Sequence, residues 1–157
     1  FAFAATGRFV EAEREGRKAV DLEPVSLAAR GGLLQILLTA RRYRQAIAAA
    51  GEALALSPLS SEGWYAKGWA HVLSGDQAAG AEALLKGLEL WGVDRTQLNG
   101  LRRLQAAGGF AALCGAGADL FQTQTMMFRP RLTDIAFLRA AAGQPDQAFV
   151  ALEAAAG

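Results

Sequence analysis

Apolar residues recur along this chain at the spacing of amphipathic helices. Between residues 31 and 40, Leu33, Leu34, Leu37 and Leu38 form an i, i+1, i+4, i+5 stripe, which places them on one face of a helix. The segment from 64 to 73 continues the pattern with tryptophan, alanine, valine and leucine. No stretch alternates apolar and polar residues as a half-buried strand does. The pattern predicts an all-α protein.

The helical pattern repeats every 34 residues without an insertion. One set of positions at this spacing, the loop column, is expected in turns and consists of Gly7, Arg41, Gly75, Gly109 and Gly143. A second set, the small-residue column, follows five residues later and consists of Ala12, Ala46, Gly80, Cys114 and Ala148. A fixed period of this length is typical of stacked helix-turn-helix repeats. Because each repeat buries its apolar face only against its neighbours, the period predicts antiparallel helix pairs that present an extended surface.

The whole pattern fits one domain over residues 1–157, since 52% hydrophobic content is ample for a core. We divide it into five repeats, of which the first is partial and the fourth is degenerate. Their bounds are 1–26, 27–60, 61–94, 95–128 and 129–157. The chain starts at Phe1 without a methionine, so we expect it to be a piece of a longer protein.

Helix boundaries are marked by capping and breaking residues. Ser26, Ser60 and Asp94 end their repeats, and each side chain is expected to accept a hydrogen bond from the start of the next helix. Pro24 and Pro58 stop the preceding helices. These signals predict short connections between repeats.

Contacts between repeats are expected to use large apolar residues near the end of each closing helix, namely Leu22, Leu56 and Leu90.

Glycine pairs such as Gly31-Gly32 and Gly108-Gly109 are expected to serve turns or close packing. The sequence FQTQTMMFRP at 121–130 continues a helix poorly, so we expect the closing helix of the fourth repeat to end early or its helix pair to splay.

Composition excludes several classes of protein. Lysine and arginine number 16 against 15 acidic residues, a balance that gives no support to nucleic-acid binding. The cluster of Arg41, Arg42 and Arg44 is interpreted as a solvated rim. Cys114 is the only cysteine, so an intrachain disulfide is impossible and a reducing, cytoplasmic compartment fits best. The apolar stretch from 31 to 40 is about half the length of a membrane span.

Candidate catalytic residues have a simpler structural interpretation. His71 is the only histidine, and a metal or catalytic role would need partners that the sequence does not supply. Cys114 lies in the small-residue column, where a buried thiol substitutes for alanine. No glycine cluster carries the lysine of a phosphate-binding loop. We therefore expect no catalytic residue, no metal site and no cofactor.

Two segments, RRYRQAIAAAGEALALSP at 41–58 and WYAKGWAHVLSGDQAAGAEALLKGLEL at 64–90, resemble tetratricopeptide repeats in their aromatic, glycine, small-residue and proline positions. The resemblance implies a right-handed solenoid of about four and a half repeats, with about nine or ten helices in antiparallel pairs. A narrower similarity lies in GGFAAL at 108–113 and DIAFLRAAAGQPDQAFVALEAA at 134–155. These resemble the final repeats of arrays that follow winged-helix, cyclase or kinase domains in bacterial signalling proteins.

In tetratricopeptide repeats the opening helix of each repeat lines an inner groove. The resemblance therefore implies a partner-binding groove lined by Gln35, Tyr65, Trp69, Val72, Asn99, Arg103 and Phe137, with Leu38, Thr39 and Leu73 beside them. The aromatic residues have two open interpretations, as covers for neighbouring helices or as anchors for an apolar or amphipathic peptide. Family members that bind a partner's terminal carboxylate use a Lys, Asn and Arg set, which Gly31, Gln35 and Ala66 replace here.

These observations predict a non-catalytic scaffold that binds a protein or peptide and regulates a larger bacterial signalling or transcription protein. The alternative is a small-molecule-sensing helical domain, with the segment around Met126, Met127 and Phe128 as a lid. An enzyme is the third and least supported class. We also expect further residues or self-association to cover the last repeat, because no polar capping helix is evident there.

Overall fold

The computed structural model describes residues 7–123 and 132–156, which are all-α and contain no strand. The eight helices of these residues are α1 Phe9–Leu22, α2 Leu27–Thr39, α3 Tyr43–Leu56, α4 Ser61–Leu73, α5 Gln77–Leu90, α6 Arg95–Thr123, α7 Leu132–Ala141 and α8 Pro145–Ala156. The all-α prediction is confirmed. Most of the segment expected to interrupt the fourth repeat, residues 124–130, lies outside the described part of the chain, and Phe121 itself lies in α6.

The backbone dihedral angle φ is positive at all five positions of the loop column. The φ values are 76° at Gly7, 58° at Arg41, 96° at Gly75, 69° at Gly109 and 74° at Gly143. This left-handed region is open to glycine and costly for other residues. At Gly109 it interrupts α6 (ψ −162°), so that α6 contains the opening and closing helical segments of the fourth repeat. The 34-residue register is therefore visible in the backbone.

The small-residue column is buried at all five positions. Ala12, Ala46, Cys114 and Ala148 are 3%, 0%, 0% and 6% exposed, and Gly80 is buried as well. A Cβ atom added at Gly80 would lie 2.4 Å from Val72 Cγ2 and 3.0 Å from the carbonyl oxygen of Gly68. These distances are shorter than van der Waals contact. Helices α4 and α5 thus approach so closely that only a hydrogen atom fits between them.

All three predicted N-caps are confirmed. Ser26 Oγ accepts a hydrogen bond from the Ala29 amide at 3.3 Å, and Ser60 Oγ accepts one from the Gly63 amide at 3.0 Å. The carboxylate of Asp94 accepts two, from the amides of Thr96 at 2.7 Å and Gln97 at 3.0 Å. Each side chain satisfies backbone donors that the first turn of a helix leaves without partners.

Two compact units divide the chain, an N-terminal half, Phe1–Gly87, and a C-terminal half, Leu88–Gly157. In the N-terminal half each of α1 to α3 packs against the helix that follows it, and α2 also contacts α4. This packing is consistent with a helical repeat. One core cluster contains Leu33, Leu34, Leu37, Ala46, Ala50 and Ala70.

The C-terminal half has its own core. Helix α6 packs on α7, and α7 packs on α8. Trp91 contacts Phe121, with ring centroids 6.0 Å apart. Its buried apolar residues include Leu98, Leu101, Phe110, Leu113, Cys114, Ala118, Phe121, Ile135, Ala136 and Leu138.

Two packing expectations are wrong. Leu22 and Leu56 are 75% and 48% exposed, so they do not seal contacts between repeats. Leu54 makes that contact instead, since its Cδ2 lies 2.9 Å from the position of a Cβ on Gly63. A residue two places further along a helix points to the opposite side, which explains the exposure of Leu56. Gly31 and Gly32 lie inside α2, where an added Cβ would meet nothing within 4 Å.

The contact at Gly80 is tested by adding one methyl group. We expect Gly80→Ala to lower the free energy of unfolding by roughly 1–3 kcal/mol because the methyl would overlap Val72 and the Gly68 carbonyl. Gly51→Ala is the matched control in α3, where a Cβ meets nothing within 4 Å. It should raise stability by roughly 0.5–1 kcal/mol. Denaturant unfolding measures both, and equal effects would contradict the close approach.

Arg41 tests the backbone conformation of the loop column. We expect Arg41→Gly to raise the melting temperature, with a gain of roughly 1 kcal/mol, because glycine adopts the φ of 58° without strain. The neighbouring substitution Arg42→Gly is the control. Arg42 has a φ of −85°, so glycine at this position relieves no backbone strain. Thermal unfolding followed by circular dichroism compares the two, and a gain at Arg42 only would contradict the assigned turn.

Candidate functional site

The candidate groove residues of the N-terminal half centre on an aromatic pair in α4. Tyr65 and Trp69 are one helical turn apart, and their rings meet edge to face, with centroids at 6.1 Å and planes at 80°. Such a geometry is favourable for aromatic rings. Both residues are half-buried. The pair is therefore preorganised and still accessible in part.

Close packing beneath the aromatic pair fixes its position. A Cβ on Gly87 would lie 3.2 Å from the Tyr65 amide nitrogen and 3.4 Å from its Cα, so α5 passes directly against the backbone of α4. The Tyr65 hydroxyl oxygen is buried within the protein. Tyr65 thus supports the ring of Trp69 and does not offer its hydroxyl to solvent.

The remaining N-terminal candidates differ in role. Val72 directs Cγ2 at Gly80, which makes it a packing residue between α4 and α5. Gln35 is exposed on α2 and holds the same repeat position as Trp69, while α2 contacts α4. Thr39 is also exposed, and its hydroxyl donates to the Gln35 carbonyl at 2.8 Å. Leu38, by contrast, packs against the core cluster.

Three candidates belong to the C-terminal half. Asn99 and Arg103 are exposed one turn apart on the first segment of α6, which places an amide and a guanidinium on one helix face. Phe137, on α7, is 61% exposed. The seven candidates therefore form two groups, one in each half of the chain.

Among the residues that the structure describes, Arg139 is the one charged residue that is buried. The sequence pattern did not indicate it as a candidate. It is 6% exposed and donates to Asp119 at 2.6 Å, to Gln122 at 2.8 Å and to Gln144 at 2.9 Å. Charge-assisted hydrogen bonds of this kind offset the cost of burying a guanidinium. The cluster joins α6, α7 and the turn before α8, which is a structural role.

The reactive side chains are arranged for packing. Cys114 is fully buried, and desolvation raises the pKa of its thiol from 9.0 to about 12, whereas a nucleophilic cysteine needs a lowered pKa. His71 Nδ1 lies 3.6 Å from a carboxylate oxygen of Asp76, beside the turn that follows α4. Within residues 7–123 and 132–156, no three histidine, cysteine or acidic residues converge as a metal site would require.

A shallow hollow of about 220 Å³ lies between α1 and α2. Small residues form most of its wall, and Glu15 supplies a carboxylate. Its lining consists of Ala12, Glu15, Gly16, Ala19, Ala29, Gly32 and Ile36. The hollow is small for an organic ligand.

One described helix, α6, is long and apolar enough to be considered as a membrane span. The evidence is weak, because the backbone of Gly109 breaks α6 into two segments. A break exposed to lipid would leave backbone groups without hydrogen-bond partners in a bilayer.

No family model matches this chain, and no curated protein is similar to it. The assignment of the fold and of the candidate site therefore uses only the sequence and structure of this chain.

The buried thiol makes stability depend on pH. The folded state keeps Cys114 protonated up to about pH 12, whereas the unfolded thiol ionises above about 9. The contribution of the protonated Cys114 thiol to the free energy of unfolding is therefore fully present below pH 9. It is lost as the pH rises toward 12, because the unfolded chain releases the proton first. We expect the wild type to lose about 1 kcal/mol more than Cys114→Ala between about pH 8 and about pH 10. Denaturant unfolding at both pH values checks this, and parallel losses would contradict it.

Proposed function

We propose that the chain is a right-handed solenoid of the tetratricopeptide type and a non-catalytic scaffold for protein binding. The positive φ at every position of the loop column and the burial of the small-residue column support the repeat assignment. In such arrays the opening helices face a common surface that is available to a partner. The half-buried Trp69 ring, whose centroid lies 6.1 Å from that of Tyr65, is the observation that carries the proposal.

The partner we propose is an extended or amphipathic peptide segment of another protein. Trp69 would anchor an apolar side chain, and Gln35 on the adjacent opening helix would hydrogen-bond to the peptide backbone. Aromatic anchors of this kind supply a large share of binding energy at interfaces. In the C-terminal half, Asn99, Arg103 and Phe137 are proposed as further partner contacts.

The biological setting is proposed from the sequence resemblance. The array would serve as the regulatory part of a bacterial signalling or transcription protein in the cytoplasm, and would not itself bind nucleic acid or membranes. Partner binding would shift the balance between states of an output domain, as a ligand does when it prefers one state.

A second candidate function, small-molecule sensing, has one observation in its favour, the hollow between α1 and α2. The expected lid segment around Met126, Met127 and Phe128 lies outside the described residues. A metabolite that binds the hollow would raise the melting temperature by mass action. The effect should then disappear in Gly32→Leu, which fills the hollow from its wall.

Trp69 is tested with a display library of short peptides selected on the wild-type protein. We expect Trp69→Ala to weaken binding of the selected peptides about tenfold or more, because truncation of a buried aromatic anchor costs over 1 kcal/mol. Trp64→Ala is the matched control on the same helix, where the indole instead donates to the Pro58 carbonyl at 2.9 Å and lies near Lys67. Circular dichroism monitors helix content in both variants.

Two outcomes would contradict the proposed function. Equal loss of binding in both variants would mean that the peptides do not use the Trp69 surface. Parallel loss of helix content and binding in Trp69→Ala would make Trp69 a packing residue.

A further inference from the structure

The junction between α6 and α7 has polar side chains at two repeat positions that are apolar and buried in earlier repeats. At the first position, Leu54 and Leu88 are 7% and 5% exposed, and the fourth repeat has the exposed Gln122 instead. At the second position, Leu37 is 1% exposed in the second repeat, and the fifth repeat has the buried Arg139. The hydrogen bond between Arg139 and Gln122, at 2.8 Å, therefore takes the place of apolar packing.

The hydrogen bonds of Arg139 fall into two groups. The first is with Gln144 in the turn before α8, whose side-chain oxygen accepts from Nη1 at 2.9 Å and whose amide donates to the Arg139 carbonyl at 2.9 Å. The second is with α6, where Asp119 and Gln122 both accept from Nη2 at 2.6 Å and 2.8 Å. Separation of α7 and α8 from α6 would break only the second group.

Burial at this junction is costly for Arg139 and not for its partners on α6. The Nε atom of Arg139 is buried without a hydrogen-bond partner among the described residues, which adds to the cost of desolvating the guanidinium. The side chain of Asp119 is 66% exposed, and Gln122 is exposed as well, so water can replace Arg139 at both. The closed junction therefore gains less free energy than an apolar contact would and depends on the charge of Asp119.

We propose that Arg139 and Asp119 form a latch on the last repeat, from which α7 and α8 open as one unit while the other helices stay folded. Local opening of this kind is open to repeat proteins, because each repeat contacts only its neighbours. The negative charge of Asp119 holds the latch closed. Opening would also separate Phe137 on α7 from Asn99 and Arg103 on α6, and only this consequence rests on the proposed function.

Hydrogen-deuterium exchange of the full chain, followed by mass spectrometry, measures the opening. We expect Asp119→Asn to accelerate exchange of the α7 and α8 amides together by at least about tenfold, because it leaves a buried guanidinium with a neutral partner. Amides of α3 and α4 should keep their wild-type rates. Asp21→Asn is the matched control, since Asp21 is exposed on α1, and it should change none of these rates.

Arg139→Met distinguishes a latch from a contact that only stabilises the fold. Methionine fills a similar volume without a charge, and replacement of a buried ion pair by apolar residues is often neutral or stabilising. We expect exchange in α7 and α8 to be as slow as in the wild type or slower. In the Arg139→Met background, Asp119→Asn should have no further effect, because the two residues act through one interaction.

Three results would overturn the proposal. Equal acceleration by Asp119→Asn and Arg139→Met would make the pair an ordinary stabilising contact. Acceleration in α3 and α4 as large as in α7 and α8 would show that the whole chain unfolds and that the last repeat does not open by itself. Wild-type exchange rates in Asp119→Asn would show that the charge of Asp119 does not hold the junction closed.

Discussion

Close approach of helix backbones is the constraint on which this structure depends. At Gly80 and Gly68 the facing helices leave no room for a methyl group, since an added Cβ would fall 2.4 Å from Val72 and 2.6 Å from Leu84. Dispersion contacts at such short range are numerous and are lost when the helices separate. The recurrence of a small residue every 34 positions therefore sets where each opening helix meets its closing helix.

The same constraint leaves some large apolar side chains partly or fully exposed. When closing helices use alanine and glycine for contact, large apolar residues are not all needed in the core. Trp69 can remain half-buried, and Phe149 and Leu152 can remain exposed on α8. In repeat proteins each unit contacts only its neighbours, so a side chain on an opening helix has no distant segment to cover it. The partial exposure of Trp69 is a consequence of this architecture.

Much of the fold was predictable because it depends on local chemistry. The turn at Arg41 and the caps at Ser26 and Asp94 each depend on residues within a few positions of one another. Because similar signals recur every 34 residues, each predicted turn or cap supported the prediction of the others. The face of Leu56 was predicted wrongly because an error of two residues along a helix reverses the direction of a side chain. Arg139 could not be predicted, since its partner Asp119 is 20 residues away and an arginine in a helix is usually on the surface.

Cysteine accessibility tests the small-residue column most directly. In a Cys114→Ala background, single cysteines placed at Ala46 and Ala148 are compared with cysteines two residues later, at Ala48 and Val150. The structure predicts that alkylation under native conditions is at least about 100-fold slower at the column positions, because those sites react only after the helices open. Similar alkylation rates at column and neighbouring positions would show that the recurring small residues do not lie between packed helices.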